Sequence, residues 1–117
     1  MSYLASQGYG FVVLSLPHDT FAAVEEHRKE NELSKQDFYQ EVMSSFFRDG
    51  RARPPFFATY KGGDTQRMRM WIKPELFEEL QSTASAVGKT VRAICYTALL
   101  DYLQRSLPEE QWQSLTL

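Results

Sequence analysis

The segment RMRMWIK, residues 67–73, alternates between side chains that can bind a partner and apolar side chains. The first kind comprises Arg67, Arg69, Trp71 and Lys73. Because successive side chains of an extended chain point to opposite faces, the alternation predicts a half-buried strand with these four on its outer face. An arginine on such a face can donate two hydrogen bonds, to O6 and N7 of a guanine. The alternative is a solvated edge strand that binds nothing.

A second set of polar residues lies where two helices are expected to begin. Ser34 and Thr90 are good N-cap residues, and the free backbone N–H groups at the start of a helix can bind phosphate. Lys35, Lys89 and Arg92 add positive charge at these two places. The predicted phosphate contacts are Ser34, Lys35, Lys73, Lys89, Thr90 and Arg92. Such contacts position a protein on nucleic acid but read no sequence.

The distribution of charge favours the middle of the chain as the part that faces an anionic partner. The net charge is −2 and the pI is about 5.7, which on average argues against nucleic acid as a partner. Residues 51–74, however, hold six basic residues and one acid, whereas the segments before and after them carry net charges of −4 and −3. A basic stripe on an acidic body can guide DNA binding and limit non-specific contacts.

Apolar periodicity divides the chain into two similar halves, each a short strand followed by two helices. The predicted elements of the first half are a strand over residues 11–16 and helices over 18–31 and 34–49. Those of the second half are a strand over 67–73 and helices over 75–87 and 90–107. Gly88 is expected to end the first helix of the second half. The last helix is expected to bury a single face that includes Ile94, Ala98 and Leu103.

The 117 residues are predicted to form one compact domain. Its parts are a first unit (10–50), a linker (51–64), a second unit (65–107) and a short tail (108–117). Pro54-Pro55 and Gly62-Gly63 mark the linker. Phe56 and Phe57 are too apolar for a free tether and are expected to pack back on the body. In the tail, Pro108 can start a short helix that carries Trp112.

The two halves align without a gap at an offset of 56 residues. Matched pairs include Val12 with Met68, Leu14 with Met70, Phe21 with Phe77, Ser34 with Thr90, and Met43 with Leu99. Two helical periods can coincide by chance, but chance is less able to match the phase of the strand and the helix cap as well. We interpret the pattern as an internal duplication of a strand–helix–helix unit.

Each half resembles the Arc/MetJ/CopG ribbon-helix-helix superfamily. The first unit is similar to the Arc branch, most clearly in YQEVMSSFFRDG, residues 39–50. The second, RMRMWIKPELFEELQSTASAVGKTVRAICYTALL, looks more like the CopG branch, with an alternating strand and a Gly-Lys-Thr entry into the last helix. The tandem arrangement resembles that of TraY-type accessory proteins of conjugative plasmids.

The resemblance implies a mainly α fold with a two-stranded antiparallel ribbon, in which the two units of one chain form an intramolecular pseudo-dimer. Such a ribbon fits the major groove of double-stranded DNA. The base contacts would come from Arg67, Arg69, Trp71, Ser15 and Val13. The implied function is that of a transcriptional repressor or of an accessory factor in plasmid transfer or segregation. Further copies of the chain on DNA, or a relaxase or other protein, are possible additional partners.

The first strand departs from the family pattern because its outward residues are Phe11, Val13 and Ser15, of which Ser15 alone can hydrogen-bond. Two interpretations remain open. The DNA site is asymmetric and read mainly by the second strand, or the apolar patch of Phe11, Val13 and Trp71 binds a protein. The second interpretation predicts an interaction module of the same fold, such as an antitoxin or an assembly factor. The N-terminal segment or Phe56-Phe57 could instead cover the patch.

The sequence offers little for other kinds of site. No nucleophile–base pair or carboxylate dyad stands out, so we predict no enzyme, and no cofactor or metal site. His18 and His27 have no second ligand at metal spacing and are interpreted as structural or surface residues. The lone Cys95 is expected to be buried and fits a reducing, cytoplasmic location, in a prokaryotic plasmid or phage context. No apolar run approaches the ~20 residues of a membrane span, so no membrane partner is expected.

Overall fold

The computed structural model describes residues 3–49, 60 and 62–115. In chain order the elements are α1 (Tyr3–Ser6), β1 (Gly10–Pro17), α2 (His18–Glu30), α3 (Lys35–Asp49), β2 (Thr65–Ile72), α4 (Pro74–Val87), α5 (Val91–Ser106) and α6 (Glu109–Ser114). The described part is mainly helical with a two-stranded antiparallel sheet, as predicted. Most of the predicted linker, with Phe56 and Phe57, lies outside the described residues.

The ends of the helices follow the capping residues. Ser34 Oγ accepts a hydrogen bond from Asp37 N at 3.1 Å at the start of α3, and Thr90 Oγ1 accepts one from Ala93 N at 3.1 Å at the start of α5. Each bond satisfies one of the N–H groups that the first turn of a helix leaves without a partner. Gly88 ends α4 in the left-handed conformation, with φ of 68°.

Two short helices flank the two strand–helix–helix halves. α6 follows Pro108, as predicted, and Trp112 from this helix packs against the core. α1 was not predicted, because four residues are too few to show a helical period.

Strands β1 and β2, here called the ribbon, pair from Gly10 opposite Ile72 to Pro17 opposite Thr65, with Val13 opposite Arg69. The inner face of the ribbon is buried, as the alternation predicted. It consists of Val12, Leu14, Leu16, Met68, Met70 and Ile72. Burial of these six side chains fixes which side chains point outward, since a slip of one residue would move the whole apolar set to the other face.

The second helix of each half packs on the strand of the other half. α3 contacts β2, α5 contacts β1, and the two helices contact each other. Where they cross, Arg105 donates to the buried Asp101, with Nη2 2.8 Å from Oδ2, and lies 3.3 Å from Ser45 Oγ on α3. The two halves therefore share one core.

The expectation of a single buried face on α5 is wrong. Every residue from Ala93 to Asp101 is buried. The reason is that α5 contacts four elements, β1, α3, α4 and α6, and these surround it. None of the helices in the described ranges has the length and apolarity that a membrane crossing requires.

Candidate nucleic-acid interface

The outer face of the ribbon consists of three cross-strand pairs: Phe11 with Trp71, Val13 with Arg69, and Ser15 with Arg67. All five residues that the sequence marked as base-contacting lie on this face, together with Phe11. Phe11, Arg67 and Arg69 are exposed, and the other three are half-buried. A two-stranded ribbon of this kind has the dimensions that the major groove of DNA accepts.

Arg67 and Arg69 carry the positive charge of this face. Within residues 3–49, 60 and 62–115, neither arginine forms an ion pair; the pairs found there involve His18, Arg28, Arg48 and Arg105. The two guanidinium groups lie two residues apart on the same side of β2. Each therefore offers its donors to an external acceptor, and the planar fork of donors suits a guanine edge or a phosphate.

Phe11 and Trp71, the aromatic end of the ribbon, are in direct contact. Their ring centroids are 4.7 Å apart and the ring planes are tilted by 47°. Phe11 is 47% exposed, whereas most of the large hydrophobic side chains in the described residues are buried. At the opposite end, Ser15 and Arg67 form the polar end. The outer face therefore changes from aromatic to polar along its length.

Two glutamine side chains of α3 hold the aromatic end in place. Gln36 Nε2 and Gln40 Nε2 both donate to the backbone carbonyl of Trp71 at 2.8 Å, and Gln40 Oε1 accepts from the backbone N–H of Lys73 at 3.0 Å. We call Gln36 and Gln40 the amide clamp. Gln40 uses both ends of its amide as a neighbouring strand would use its peptide group, and so satisfies one carbonyl and one N–H at the end of β2.

Sequence reasoning missed the amide clamp. The four-residue spacing of Gln36 and Gln40 does place both amides on one side of a helix. Their partners, however, are main-chain atoms 31 to 35 residues away. Any residue type can supply such atoms, so no pattern in the sequence points to them.

The predicted phosphate contacts at the helix starts are placed less closely together. Ser34, Lys35, Lys89, Thr90 and Arg92 are all exposed, but the hydroxyls of Ser34 and Thr90 accept hydrogen bonds within their own helices. The backbone N–H groups of the first turns remain the donors for an anion there. α3 is tied to the ribbon through Gln36. No corresponding hydrogen bond from Arg92, the matching residue of α5, appears among the described residues.

Lys73 and Asp37 modify the charge near the aromatic end. Lys73 is exposed and directly precedes α4, and its backbone N–H is already taken by Gln40. Its ammonium group is therefore what it can offer to a phosphate. Asp37, in the first turn of α3, brings a negative charge to a helix start that would otherwise favour an anion.

His18 lies where β1 ends, next to the polar end of the ribbon. Its Nε2 is 3.3 Å from Asp64 Oδ2, and its Nδ1 is 3.0 Å from Gln66 Oε1. The hydrogen bond to Asp64, and to a smaller extent the one to Gln66, raises the pKa of His18 above its ordinary value. When protonated, His18 ties the end of β1 to the start of β2.

The remaining candidates of the sequence have structural surroundings. His27 Nε2 lies 3.1 Å from Tyr102 Oη, and its ring packs edge-on against Phe38 and Tyr102. Cys95 is fully buried, and this burial raises the pKa of its thiol to about 12. In the described ranges, no three histidine, cysteine, aspartate or glutamate side chains come together in a way that could hold a metal ion.

Comparisons with protein-family models, curated proteins and solved structures gave no match. What the chain binds must therefore be argued from the ribbon itself.

Proposed function

We propose that this chain is a tandem ribbon-helix-helix protein that binds double-stranded DNA in a sequence-specific manner. Its units, residues 10–50 and 65–107, form an intramolecular pseudo-dimer, and the ribbon enters the major groove. Arg67 and Arg69 hydrogen-bond to bases, with Trp71, Val13 and Ser15 beside them. The protein acts in the cytoplasm as a transcriptional repressor or as an accessory factor in plasmid transfer or segregation.

The observation that carries the proposal is the register of the ribbon. At the offset of 56 residues, Val13 is equivalent to Arg69, and these two residues are paired. By the same offset Phe11 is equivalent to Arg67 and Ser15 to Trp71, so the Phe11–Trp71 pair corresponds to the Ser15–Arg67 pair. A pseudo-twofold axis through the Val13–Arg69 pair accounts for this pattern. The packing of α3 on β2 and of α5 on β1 also supports interlocked units.

Charge supports DNA as the partner. The exposed arginines lie on the face that points away from the shared core, and the acids of the chain belong mostly to the two segments that flank 51–74. An anionic ligand is therefore attracted to the ribbon and repelled by much of the remaining surface.

A selection from random double-stranded DNA with the purified chain tests the proposal, followed by a salt titration on the winning sequence. We expect an enriched motif. We also expect log affinity to fall with log salt, with a slope of about −3 to −4 if Lys35, Lys73, Lys89 and Arg92 each neutralise one phosphate. Weak binding without an enriched motif would contradict the proposal.

A second candidate function follows from the exposure of Phe11, which is 47%. An apolar end on an otherwise polar face is also what a protein-interaction module, such as an antitoxin or an assembly factor, would present. In that case the chain would co-purify with a protein, a relaxase being one possibility for the plasmid role, and would not retain DNA. In the DNA-binding role proposed first, additional copies of the chain are further partners, bound side by side on DNA.

A further inference from the structure

The difference between the two strands is arranged along the ribbon rather than across it. The antiparallel register places Trp71 of β2 opposite Phe11 of β1, and Arg67 opposite Ser15. One end of the outer face is therefore wholly aromatic, the other is wholly polar, and Arg69 lies between them opposite Val13. A strand-by-strand view of the sequence suggests instead that the second strand does most of the reading.

The aromatic end suits one feature of the major groove. Phe11 has no polar atom, and Trp71 has a single donor, its indole N–H. Every base edge in the major groove presents hydrogen-bonding groups, and thymine adds an apolar one, the C5 methyl group. An aromatic pair in contact at 4.7 Å can bury thymine methyl groups, whereas a guanine–cytosine pair offers it no apolar group in the major groove.

The polar end suits the opposite kind of base edge. Arg67 can donate two hydrogen bonds to O6 and N7 of guanine, and the hydroxyl of Ser15 can donate to or accept from a neighbouring edge. The distance between the two ends follows from strand geometry. Four residues separate Phe11 from Ser15 and Arg67 from Trp71, so the ends are about 14 Å apart at ~3.4 Å per residue. That length corresponds to about four base pairs at ~3.4 Å each.

The amide clamp makes the two ends differ in their support as well. Gln36 and Gln40 both bind the backbone carbonyl of Trp71, and Gln40 also binds the backbone N–H of Lys73. Their equivalents at the offset of 56 are Arg92 and Tyr96, and the residue equivalent to Lys73 is Pro17, which has no N–H to donate. The aromatic end is thus anchored to α3 by side-chain amides that the other unit does not possess.

We propose that the DNA site of this chain is non-palindromic, with thymine methyl groups facing Phe11 and Trp71 and guanine facing Arg67, about four base pairs apart. This inference rests on the proposed function and specifies its ligand. In a ribbon whose two strands read DNA in the same way, Phe11 would have no role. Here it becomes a specificity-determining residue. Because the aromatic end and the polar end differ, the protein binds its site in one orientation.

The test replaces each thymine of the selected site by deoxyuridine, which removes only the C5 methyl group and leaves the protein unchanged. Affinity is measured by fluorescence anisotropy. At the thymines in one half of the DNA site, we expect each removed methyl group to lower the affinity about fourfold, which is the effect of exposing one buried carbon of this size. Replacing guanines by 7-deazaguanine should weaken binding at positions about four base pairs away, and the Arg67→Ala variant should be insensitive to that change.

Phe11→Ala and Ser15→Ala form the matched pair of variants, one at each end. Phe11→Ala should weaken binding to the thymine site and should reduce the deoxyuridine effect, because Trp71 alone is then left against the methyl groups. Ser15→Ala should keep the full deoxyuridine effect. A palindromic motif, or a deoxyuridine effect that is absent or unaltered by Phe11→Ala, would overturn the inference and leave sequence-specific DNA binding standing. Capture of a protein at Phe11, with DNA affinity unchanged in Phe11→Ala, would also overturn it. Failure to select any motif would remove the inference together with the proposed function.

Discussion

Val13 and Arg69 lie directly opposite each other in the middle of the ribbon, and they are also the residues that coincide when the two halves of the sequence are aligned. The pairing and the alignment are independent observations, one from strand register and one from residue order. Because the strands are antiparallel, the pairs on either side of Val13–Arg69 then correspond as well, which is the pattern that two units related by a twofold axis would give. At this pair and at Phe11, which is equivalent to Arg67, the first half has an apolar residue where the second half has an arginine.

The two exposed arginines of β2 provide the most direct functional prediction. The double variant Arg67→Ala/Arg69→Ala should lose sequence-specific DNA binding, because each bidentate contact with guanine contributes about 1–3 kcal/mol of discrimination. Electrophoretic mobility shifts on the selected site and on unrelated DNA measure the loss. Residual non-specific binding through the helix starts is expected to remain.

Lys29→Ala is the charge control for that experiment. Lys29 is exposed in the last turn of α2, about 18 Å along the helix from the end of β1 at ~1.5 Å per residue. Its removal should leave specificity unchanged. A loss of log affinity in Lys29→Ala about half as large as that in the double variant, which removes two charges, would mean that overall charge, and not the outer face of the ribbon, determines binding.

The amide clamp predicts unequal roles for its two glutamines. Gln40→Met keeps the approximate size of the side chain but removes the bonds to the Trp71 carbonyl and to the Lys73 N–H, and should cost about 1–2 kcal/mol of unfolding free energy. Gln36→Met should cost less, because the Trp71 carbonyl keeps its bond from Gln40. Urea unfolding followed by circular dichroism measures both. Equal stability of Gln40→Met and the unchanged protein would show that the clamp contributes nothing.

The sequence predicted those features of the fold that depend on neighbouring residues. The alternation at 67–73 indicated the buried face of β2, and Ser34, Gly88 and Thr90 indicated where helices begin or end. These signals are local because side-chain direction and capping depend on residues a few positions apart. The same local logic placed Arg67, Arg69 and Trp71 on one face.

The features that the sequence did not predict depend on distant contacts. Which residue of β1 faces Trp71 depends on how the two strands align, and the alternation of each strand allows several alignments of the same phase. The enclosure of α5 on all sides depends on four elements packed around it, and the amide clamp depends on main-chain atoms. The sequence grouped Phe11, Val13 and Trp71 in one patch. Only the register shows that Phe11 faces Trp71 and that Val13 faces Arg69.

The environment of Cys95 predicts its chemistry. Its thiol is fully buried, and burial raises its pKa to about 12, so the reactive thiolate is nearly absent at neutral pH. We expect Ellman's reagent to label the folded protein very slowly, at a rate limited by opening of the core, and to label it at once in concentrated urea. Rapid labelling of the folded protein would show that α5 is more accessible than its packing indicates.

The contact of His18 with Asp64 and Gln66 predicts a pH dependence of stability. Because the folded protein raises the pKa of His18 above its ordinary value of 6.5, the contact stabilises the fold fully below that value and loses its effect as the pH rises through the raised pKa. Thermal unfolding at several pH values between 5.5 and 8.5 should therefore give a difference in Tm between the unchanged protein and His18→Ala that is largest at the acidic end. The variant Asp64→Asn should remove most of this dependence, since Asp64 is the largest cause of the shift. A difference in Tm that stays constant over this range would mean that His18 acts by packing and not by its charge.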